Sequence, residues 1–240
     1  MGLAGFSPHS GAYGATTLRG VYAGRALDRL VNFTDAVVAV AITLLVLSIV
    51  NIRGDQTEST VWQIIWDNSS QIITFGYTFV VVAVLWMIHN RTLNGLRAFD
   101  GTVFMLNLFW LMGIVLLPWP SALAGEGIGI GAVQDDREMG QSGAGMFYWG
   151  TIAFISLMAS LLSVHLSRHP ELLDPDVVQP PHHPLRRVLY PIIFLLLGVA
   201  TLIAPIIGSW LPLLLIPIGI AFGRAERRMA VEQEEPSSAG

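Results

Sequence analysis

Apolar segments separated by short polar connections run along most of the chain. The predicted spans lie at about 32–51, 70–90, 101–119, 145–166, 188–204 and 207–223. Each approaches the roughly 20 residues that a helix needs to cross the hydrocarbon core of a bilayer. Only Pro205 and Gly208 separate the last two, so a tight hairpin is expected, and five spans is the alternative if this pair forms one broken or re-entrant unit. The pattern predicts an all-α polytopic membrane protein with six transmembrane helices.

The segments between the spans have compositions that predict their structure. A short interfacial helical turn with Trp62, Trp66 and Asp67 is expected before the second span, and the third span is expected to end at Pro118-Trp-Pro120. Proline and glycine interrupt regular structure, so the glycine-rich, acidic loop 121–143 and the proline-rich loop 167–185 are interpreted as solvated connections. Residues 1–24 and 229–240 are predicted to be flexible cytoplasmic tails on either side of a membrane domain at 25–228.

Composition agrees with a membrane protein and argues against an enzyme. Hydrophobic residues make up 53% of the chain and charged residues 12%, with a mean hydropathy of +0.60, whereas soluble domains carry about 25% charged residues. Cysteine is absent, which excludes disulfides and thiolate sites. No span carries paired carboxylates, a Ser/His/Asp set or a His-Glu-x-x-His motif, and His182-His183 is interpreted as polar linker. No cofactor, resident metal or nucleic-acid partner is expected.

The arginines predict the orientation. With both termini inside, 11 of the 13 arginines fall on the cytoplasmic side and only Arg53 and Arg137 fall outside. Cytoplasmic loops of membrane proteins carry an excess of basic residues. An even number of spans and cytoplasmic termini, in the plasma membrane, follow from this asymmetry.

One stripe of the first span has a regular spacing. Val40, Thr43 and Leu47 stand at i, i+3 and i+7, which places them on one face of a helix. Periodicity alone favours ordinary contact with lipid or a neighbouring helix, because such stripes are universal in membrane helices. The residues upstream change that interpretation.

Arg29, Phe33, Thr34 and Asp35 stand immediately before the Ala/Ile/Thr/Leu-rich helix. This Arg-x-x-x-Phe-Ser/Thr-Asp pattern resembles the first transmembrane helix of the TMEM175 potassium-channel family, which usually has Ser at the position of Thr34. The resemblance implies a homo-oligomer, expected to be a tetramer, in which first helices line a central pore. It places Val40 at an apolar constriction, with Thr43 and Leu47 as the next two pore-facing layers. The family more often has Ile or Leu where this chain has Val40, so a wider constriction and a weaker potassium preference are expected.

Such a constriction has a simple physical basis. A ring of apolar side chains offers no ligand, and potassium sheds its water more easily than sodium does. Thr43 hydroxyls repeated around an axis would replace part of the lost water and hold potassium transiently. Hydrophobic constrictions also gate by dewetting. The protein is therefore expected to conduct potassium passively.

An ionisable residue within a membrane helix needs partners. The Trp-x-x-His at Trp86 and His89, near the end of the second span, is also a feature of the resembled family. We expect Asp35 to form a structural cluster with Arg29, Trp86 and His89, with Asn107 of the third span as a possible further member. The alternative for His89 is that it lies at the end of the helix and extends its side chain to the membrane surface.

Two other functions remain open from the sequence. A secondary transporter for a small solute would fit Pro212 and Pro217 in the last span, but the chain shows no internal repeat. A non-conducting membrane scaffold would give no flux. The run Thr74-Phe-Gly-Tyr-Thr78 echoes the filter of ordinary potassium channels but lacks its final glycine, so it is discounted.

Overall fold

The chain is mainly helical in a computed structural model that describes residues 21–50, 60–127, 135–175 and 184–203. A helical bundle is accompanied by one pair of short strands and one 3₁₀ turn at Pro170–Leu172. The strands are β1 (Tyr22–Ala23) and β2 (Ala98–Phe99). The helices are α1 (Arg25–Leu44), α2 (Leu47–Val50), α3 (Val61–Asp67), α4 (Ser69–Asn94), α5 (Gly101–Leu116), α6 (Pro118–Gly127), α7 (Asp135–Arg168) and α8 (Pro184–Ile203).

Four helical stretches in the described part of the chain are long and apolar enough to cross a membrane. They are Arg25–Val50, Ser69–Asn94, Gly101–Gly125 and Gly143–Arg168, and the shorter apolar stretch Leu189–Ile203 lies in α8. The first four correspond to the first four predicted spans, and α8 corresponds to the fifth. The sixth predicted span, 207–223, lies outside the described residues, as do residues 1–20 and 229–240 of the two predicted tails.

The prediction that the third span ends at Pro118-Trp-Pro120 is wrong, because the helical stretch continues past these prolines. Leu117 separates α5 from α6, and its amide donates to the carbonyl oxygens of Gly113 and Ile114. Pro118 then begins α6, and proline is tolerated in the first turn of a helix because its missing N–H would have no partner there. Residues 118–127 therefore continue as a helix, and Ser121 is buried rather than part of a solvated loop.

The first helix begins seven residues earlier than the predicted span and changes its geometry near the far end. Asn32 and Asp35 lower the hydropathy of a stretch that is nonetheless continuous helix from Arg25. After Thr43 the backbone tightens, because the amides of Val46 and Ser48 bond to the carbonyls three residues earlier. Leu47 therefore lies just beyond a break between α1 and α2.

One apolar core joins the main helices. It contains Val38 and Leu45 from the first span, Val82 from α4, Ile114 from α5 and Ile155 from α7. The α5–α7 contact is especially close: a Cβ at Gly113 would lie 2.5 Å from Cγ1 of Ile155. Only glycine fits this crossing without a shift of the neighbouring helix.

A second, smaller cluster closes the end of the bundle where α1 begins. This end, called the basic end here, carries Arg25, Arg29, Arg91, Arg97 and Arg168. The antiparallel strands β1 and β2 pair there, with Tyr22 opposite Phe99 and Ala23 opposite Ala98. Gly24 follows β1 with a φ of 59°, a value that favours glycine, and its carbonyl accepts the first amides of α1. Regular structure thus begins within the segment predicted to be a tail.

Candidate functional site

The first helix has one buried face and one exposed face. Leu30, Thr34, Val38 and Ala41 are buried in the subunit. The opposite side is exposed from end to end and is called the α1 stripe here. Its residues, spaced by three or four, are Arg29, Phe33, Ala36, Val40, Thr43 and Leu47.

The three residues predicted to face a pore lie on this stripe. Val40 is 56% exposed and Leu47 57%, and the Thr43 side chain is also exposed. The hydroxyl of Thr43 donates to the carbonyl of Val40 at 2.7 Å, so its oxygen lone pairs are directed away from the helix backbone. The stripe is exposed in the described part of the subunit, and it combines small, apolar and hydroxyl side chains.

Asp35 stands at the edge between the two faces and is bound by α4. The indole N–H of Trp86 donates to Oδ1 of Asp35 at 2.7 Å, and the amide of Asn90 donates to the same oxygen at 3.1 Å. Asn94 in turn donates to the side-chain oxygen of Asn90. Trp86, Asn90 and Asn94 are spaced by four residues, so they form one row along α4 that holds the carboxylate of α1.

Thr34 leads into a separate polar network on the buried face. Its hydroxyl donates to the carbonyl of Leu30 at 2.9 Å and accepts from the amide of Asn107 on α5 at 2.9 Å. The oxygen of Asn107 lies 2.8 Å from Nε2 of His89. Because the Asn107 amide nitrogen serves Thr34, its oxygen must accept, and Nε2 of His89 is the donor.

Aromatic packing completes this buried network. The ring of His89 stacks on Trp110 with centroids 3.8 Å apart and planes inclined by 6°. Thr34, Asn107 and Trp110 are each 1% exposed and His89 is 2% exposed. A buried polar group costs free energy unless it is hydrogen-bonded, and these partners meet that requirement without a formal charge.

The polar residues singled out from the sequence therefore form two networks rather than one. Asp35 and Trp86 meet at the surface of the subunit, whereas His89 and Asn107 meet in its core. Arg29 and Phe33 are exposed on the α1 stripe, and Arg29 has no ion pair within the described residues. Sequence reasoning missed Asn90 and Trp110. Asn90 could have been found from its position one helical turn beyond Trp86.

Comparison with known proteins identifies relatives of the segment that carries the two polar networks. Residues 29–118 match the family described as endosomal/lysosomal potassium channel TMEM175. The matched segment contains α1 from Arg29 onward, α4 and α5, with both polar networks. Over this segment the chain is similar to the TMEM175 family.

Individual relatives extend the likeness over more of the chain. A potassium channel of Streptomyces collinus is 28% identical over 152 residues, which is 63% of this chain and 70% of that protein. The endosomal/lysosomal proton channel TMEM175 of Danio rerio is 24% identical over 62% of this chain and 26% of its own length. A potassium channel of Chamaesiphon minutus is 31% identical over 41% of this chain and 49% of that protein.

A solved TMEM175 structure shares the fold. The crystal structure of a lysosomal potassium-selective channel TMEM175 homolog from Chamaesiphon minutus matches with a TM-score of 0.62 and 22% sequence identity. The match covers 85% of this chain and 99% of that one. At this identity the comparison establishes the architecture of the helices.

Proposed function

We propose that this chain forms a potassium-permeable channel in the plasma membrane, with copies of α1 lining a central pore. The observation that carries the proposal is the α1 stripe, which is exposed along its length while the other face of the same helix is fixed by buried contacts. One subunit supplies one such helix, and a pore around an axis needs several. The channel is therefore an oligomer, and four subunits is the number we expect.

The composition of the stripe separates it from a lipid-facing surface. Beyond its first two residues, the exposed side of α5 is bulky and apolar: Phe104, Met105, Leu108, Phe109, Met112, Val115 and Leu116. The α1 stripe instead has Ala36, Val40 and Thr43 at its centre. Small residues allow helices to approach closely in a membrane, and a hydroxyl gives a passing cation an oxygen ligand. This contrast supports a pore-facing role for the stripe.

Permeation in this proposal depends on dehydration at Val40 and partial rehydration at Thr43. An apolar ring at Val40 sets the cost of removing water from the ion, and that cost is lower for potassium than for sodium. The Thr43 ring, one turn further along the helix, offers oxygen atoms in return. Leu47 forms a further apolar layer beyond it, and dewetting at these layers would close the pore.

The arginines give the orientation of the proposed channel. Arg25, Arg29, Arg91, Arg97 and Arg168 all belong to the basic end of the bundle. Under the positive-inside rule this end faces the cytoplasm. The Asp35 and Thr34 networks then lie near the cytoplasmic mouth, where they anchor the pore helix against α4 and α5.

Flux in vesicles tests the proposal. The purified full-length chain is reconstituted into liposomes loaded with potassium, and flux is followed with a potassium gradient, a sodium gradient and a proton gradient in turn. Flux that follows the potassium gradient alone is expected, and subunit counting of the same sample should give four. Potassium flux that requires a proton gradient would indicate a coupled transporter. Proton flux without potassium flux would match the ion named for the Danio rerio relative. Absence of any flux would indicate a scaffold.

A further inference from the structure

A second charged cluster lies at the basic end, away from both polar networks of α1. Asp100 caps the start of α5: its Oδ1 accepts the amide of Val103 at 2.8 Å. Its Oδ2 lies 2.8 Å from Nε2 of His165, in the last turn of α7. The side chains of His165 and Asp100 are only 17% and 24% exposed. One carboxylate thus joins the beginning of one membrane helix to the end of another.

The cluster continues into the turn after α7. The rings of His165 and His169 have centroids 4.5 Å apart, and Nδ1 of His169 lies 2.9 Å from Oε1 of Glu171. Arg97 binds the same turn twice, through its amide to the carbonyl of Leu172 and through Nε to the carbonyl of Glu171. The charged or titratable side chains that contact His165 are Asp100 and His169, and Glu171 and Arg97 follow through the contacts of the same turn. Arg168 and Asp174 flank this turn in the sequence.

This cluster is connected to the first helix by backbone. Asp100 directly follows β2, whose Ala98 and Phe99 pair with Ala23 and Tyr22 of β1. Tyr22 and Phe99 also stack, with ring centroids 5.3 Å apart. Only Gly24 separates β1 from α1. The short strand β2 and its pairing with β1 therefore link Asp100 to the start of α1.

Apolar packing reinforces the connection. One buried cluster contains Leu27 and Leu30 of α1, Phe99 of β2, Val103 of α5 and Leu162 of α7. These residues come from each element that the Asp100–His165 contact joins, together with the first turns of α1. The basic end is therefore one packed layer.

The hydrogen bonds that Asp100 accepts keep its carboxylate ionised. Burial raises the pKa of Asp100, but the hydrogen bonds from the Val103 amide and the His165 ring outweigh burial and hold the pKa below its ordinary value. Asp100 is therefore anionic throughout the physiological range. Histidine is the side chain that ordinarily gains or loses a proton between about pH 5 and 8.

We infer that Asp100 and His165 are positioning residues that make the placement of α1, and with it potassium flux, depend on pH at the basic end. A protonated imidazole bound to a carboxylate forms a stronger hydrogen bond than a neutral one. Acidification therefore tightens the α5–α7 contact and, through β2 and β1, the start of α1. Above neutral pH the contact weakens and the start of α1 becomes more mobile. The part of the inference that concerns flux rests on the proposed channel function.

The absence of cysteine from the chain allows a direct test. An Arg25→Cys variant of the full-length protein, labelled with a nitroxide, reports mobility at the first residue of α1 in liposomes held at the same pH on both sides. We expect the label to be more mobile at pH 8 than at pH 5.5. His165→Gln keeps an N–H donor for Asp100, but glutamine does not gain or lose a proton in this pH range. In this variant the label should therefore be equally mobile at pH 8 and pH 5.5. His169→Gln, in the more exposed pair with Glu171, serves as the matched control and should retain it.

Flux measured in the same proteoliposomes gives the second readout. Exposed and half-buried ion pairs contribute little energy, so we expect potassium flux to differ by about threefold between pH 5.5 and pH 8 in the parent protein. In His165→Gln the two rates should become equal. The inference would be overturned if potassium flux in His165→Gln kept the pH dependence of the parent protein. It would also be overturned if the mobility of the label in the parent did not change with pH. A normal mobility response without any potassium flux would instead refute the proposed channel function and leave the structural coupling standing.

Discussion

The indole N–H of Trp86 on α4 donates to Oδ1 of Asp35 on α1 across 2.7 Å. This contact fixes the rotation of α1, because Asp35 stands at the boundary between the face buried in the subunit and the α1 stripe. Asn90, one turn further along α4, donates to the same oxygen. In the proposed channel the carboxylate therefore orients the stripe, and its loss should be seen first in folding and assembly.

Trp86→Phe tests this role because it removes the N–H and keeps the aromatic ring. A hydrogen bond to a charged group contributes about 1.5–3 kcal/mol, so the thermal unfolding midpoint in detergent should fall and the yield of oligomer should drop. Trp119→Phe is the matched control: Trp119 is exposed and packs only against Phe147 among the described aromatic contacts. If Asp35→Ala or Trp86→Phe assembled normally but lost selectivity, Asp35 would belong to the permeation path instead.

The buried Thr34–Asn107–His89 network gives a second prediction. Asn107→Leu leaves the hydroxyl of Thr34 and Nε2 of His89 without their partner, at about 1–3 kcal/mol for each unsatisfied buried group. We expect a large loss of folded protein in fluorescence-detected size-exclusion chromatography. Thr34→Ser retains the hydroxyl and should be tolerated, whereas Thr34→Val retains the shape and should not. Equal behaviour of the two Thr34 variants would mean that the hydroxyl contributes nothing.

The glycines of α5 and α4 provide a matched pair of alanine substitutions. Gly113→Ala brings a Cβ to 2.5 Å from Ile155, and overpacking of this kind costs about 1–3 kcal/mol. Gly76→Ala meets nothing within 4 Å, and alanine is favoured over glycine within a helix by about 1 kcal/mol. Thermal unfolding should therefore shift down for Gly113→Ala and stay level or rise for Gly76→Ala. The opposite order would contradict the α5–α7 crossing.

Gly76 also belongs to the filter-like run Thr74–Thr78. Its substitution should leave ion selectivity unchanged, since that run lies inside α4 and its Thr74 and Thr78 are buried in the subunit. A loss of selectivity in Gly76→Ala without a loss of stability would reopen the interpretation of this run.

The sequence predicted much of the helical framework, and its errors have local causes. Long apolar runs identify helices because a bilayer demands them, and four predicted spans coincide with long apolar helices. Asn32 and Asp35 concealed the true start of α1, because both lower its hydropathy. Hydropathy does not register that Asn32 is exposed and that Asp35 is hydrogen-bonded to Trp86 and Asn90 of α4. Pro118 was taken as a terminator although proline also begins helices.

The polar site was harder to predict than the helices. The motif identified Asp35, Trp86 and His89, but a linear pattern does not say which helix face each partner approaches. Trp86 and His89 are three residues apart on α4, yet one reaches the surface and the other the core. The β1–β2 pair and the Asp100–His165 contact left no recognisable pattern, because two-residue strands have no periodicity and the contact joins residues 65 positions apart.

Val40 sets the expected ion preference of the proposed pore. Val40→Leu adds one methylene at the constriction and should raise the potassium-to-sodium permeability ratio by about threefold, on the scale of the ~0.8 kcal/mol that one buried methylene contributes. Reversal potentials under bi-ionic conditions measure this ratio. Val115→Leu makes the same change at another exposed valine, on α5; it is the control and should leave the ratio unchanged. An unaltered ratio in Val40→Leu would remove Val40 from the constriction.

Chemical modification of a single introduced cysteine tests the central claim most directly. The chain has no native cysteine, so Thr43→Cys and Val115→Cys can each be exposed to a water-soluble, positively charged thiol reagent during potassium flux. The account predicts that Thr43→Cys channels lose their flux on modification and that Val115→Cys channels keep theirs. If Thr43→Cys resists the aqueous reagent but reacts with a lipid-soluble one while flux continues, α1 faces lipid and the proposed pore is wrong.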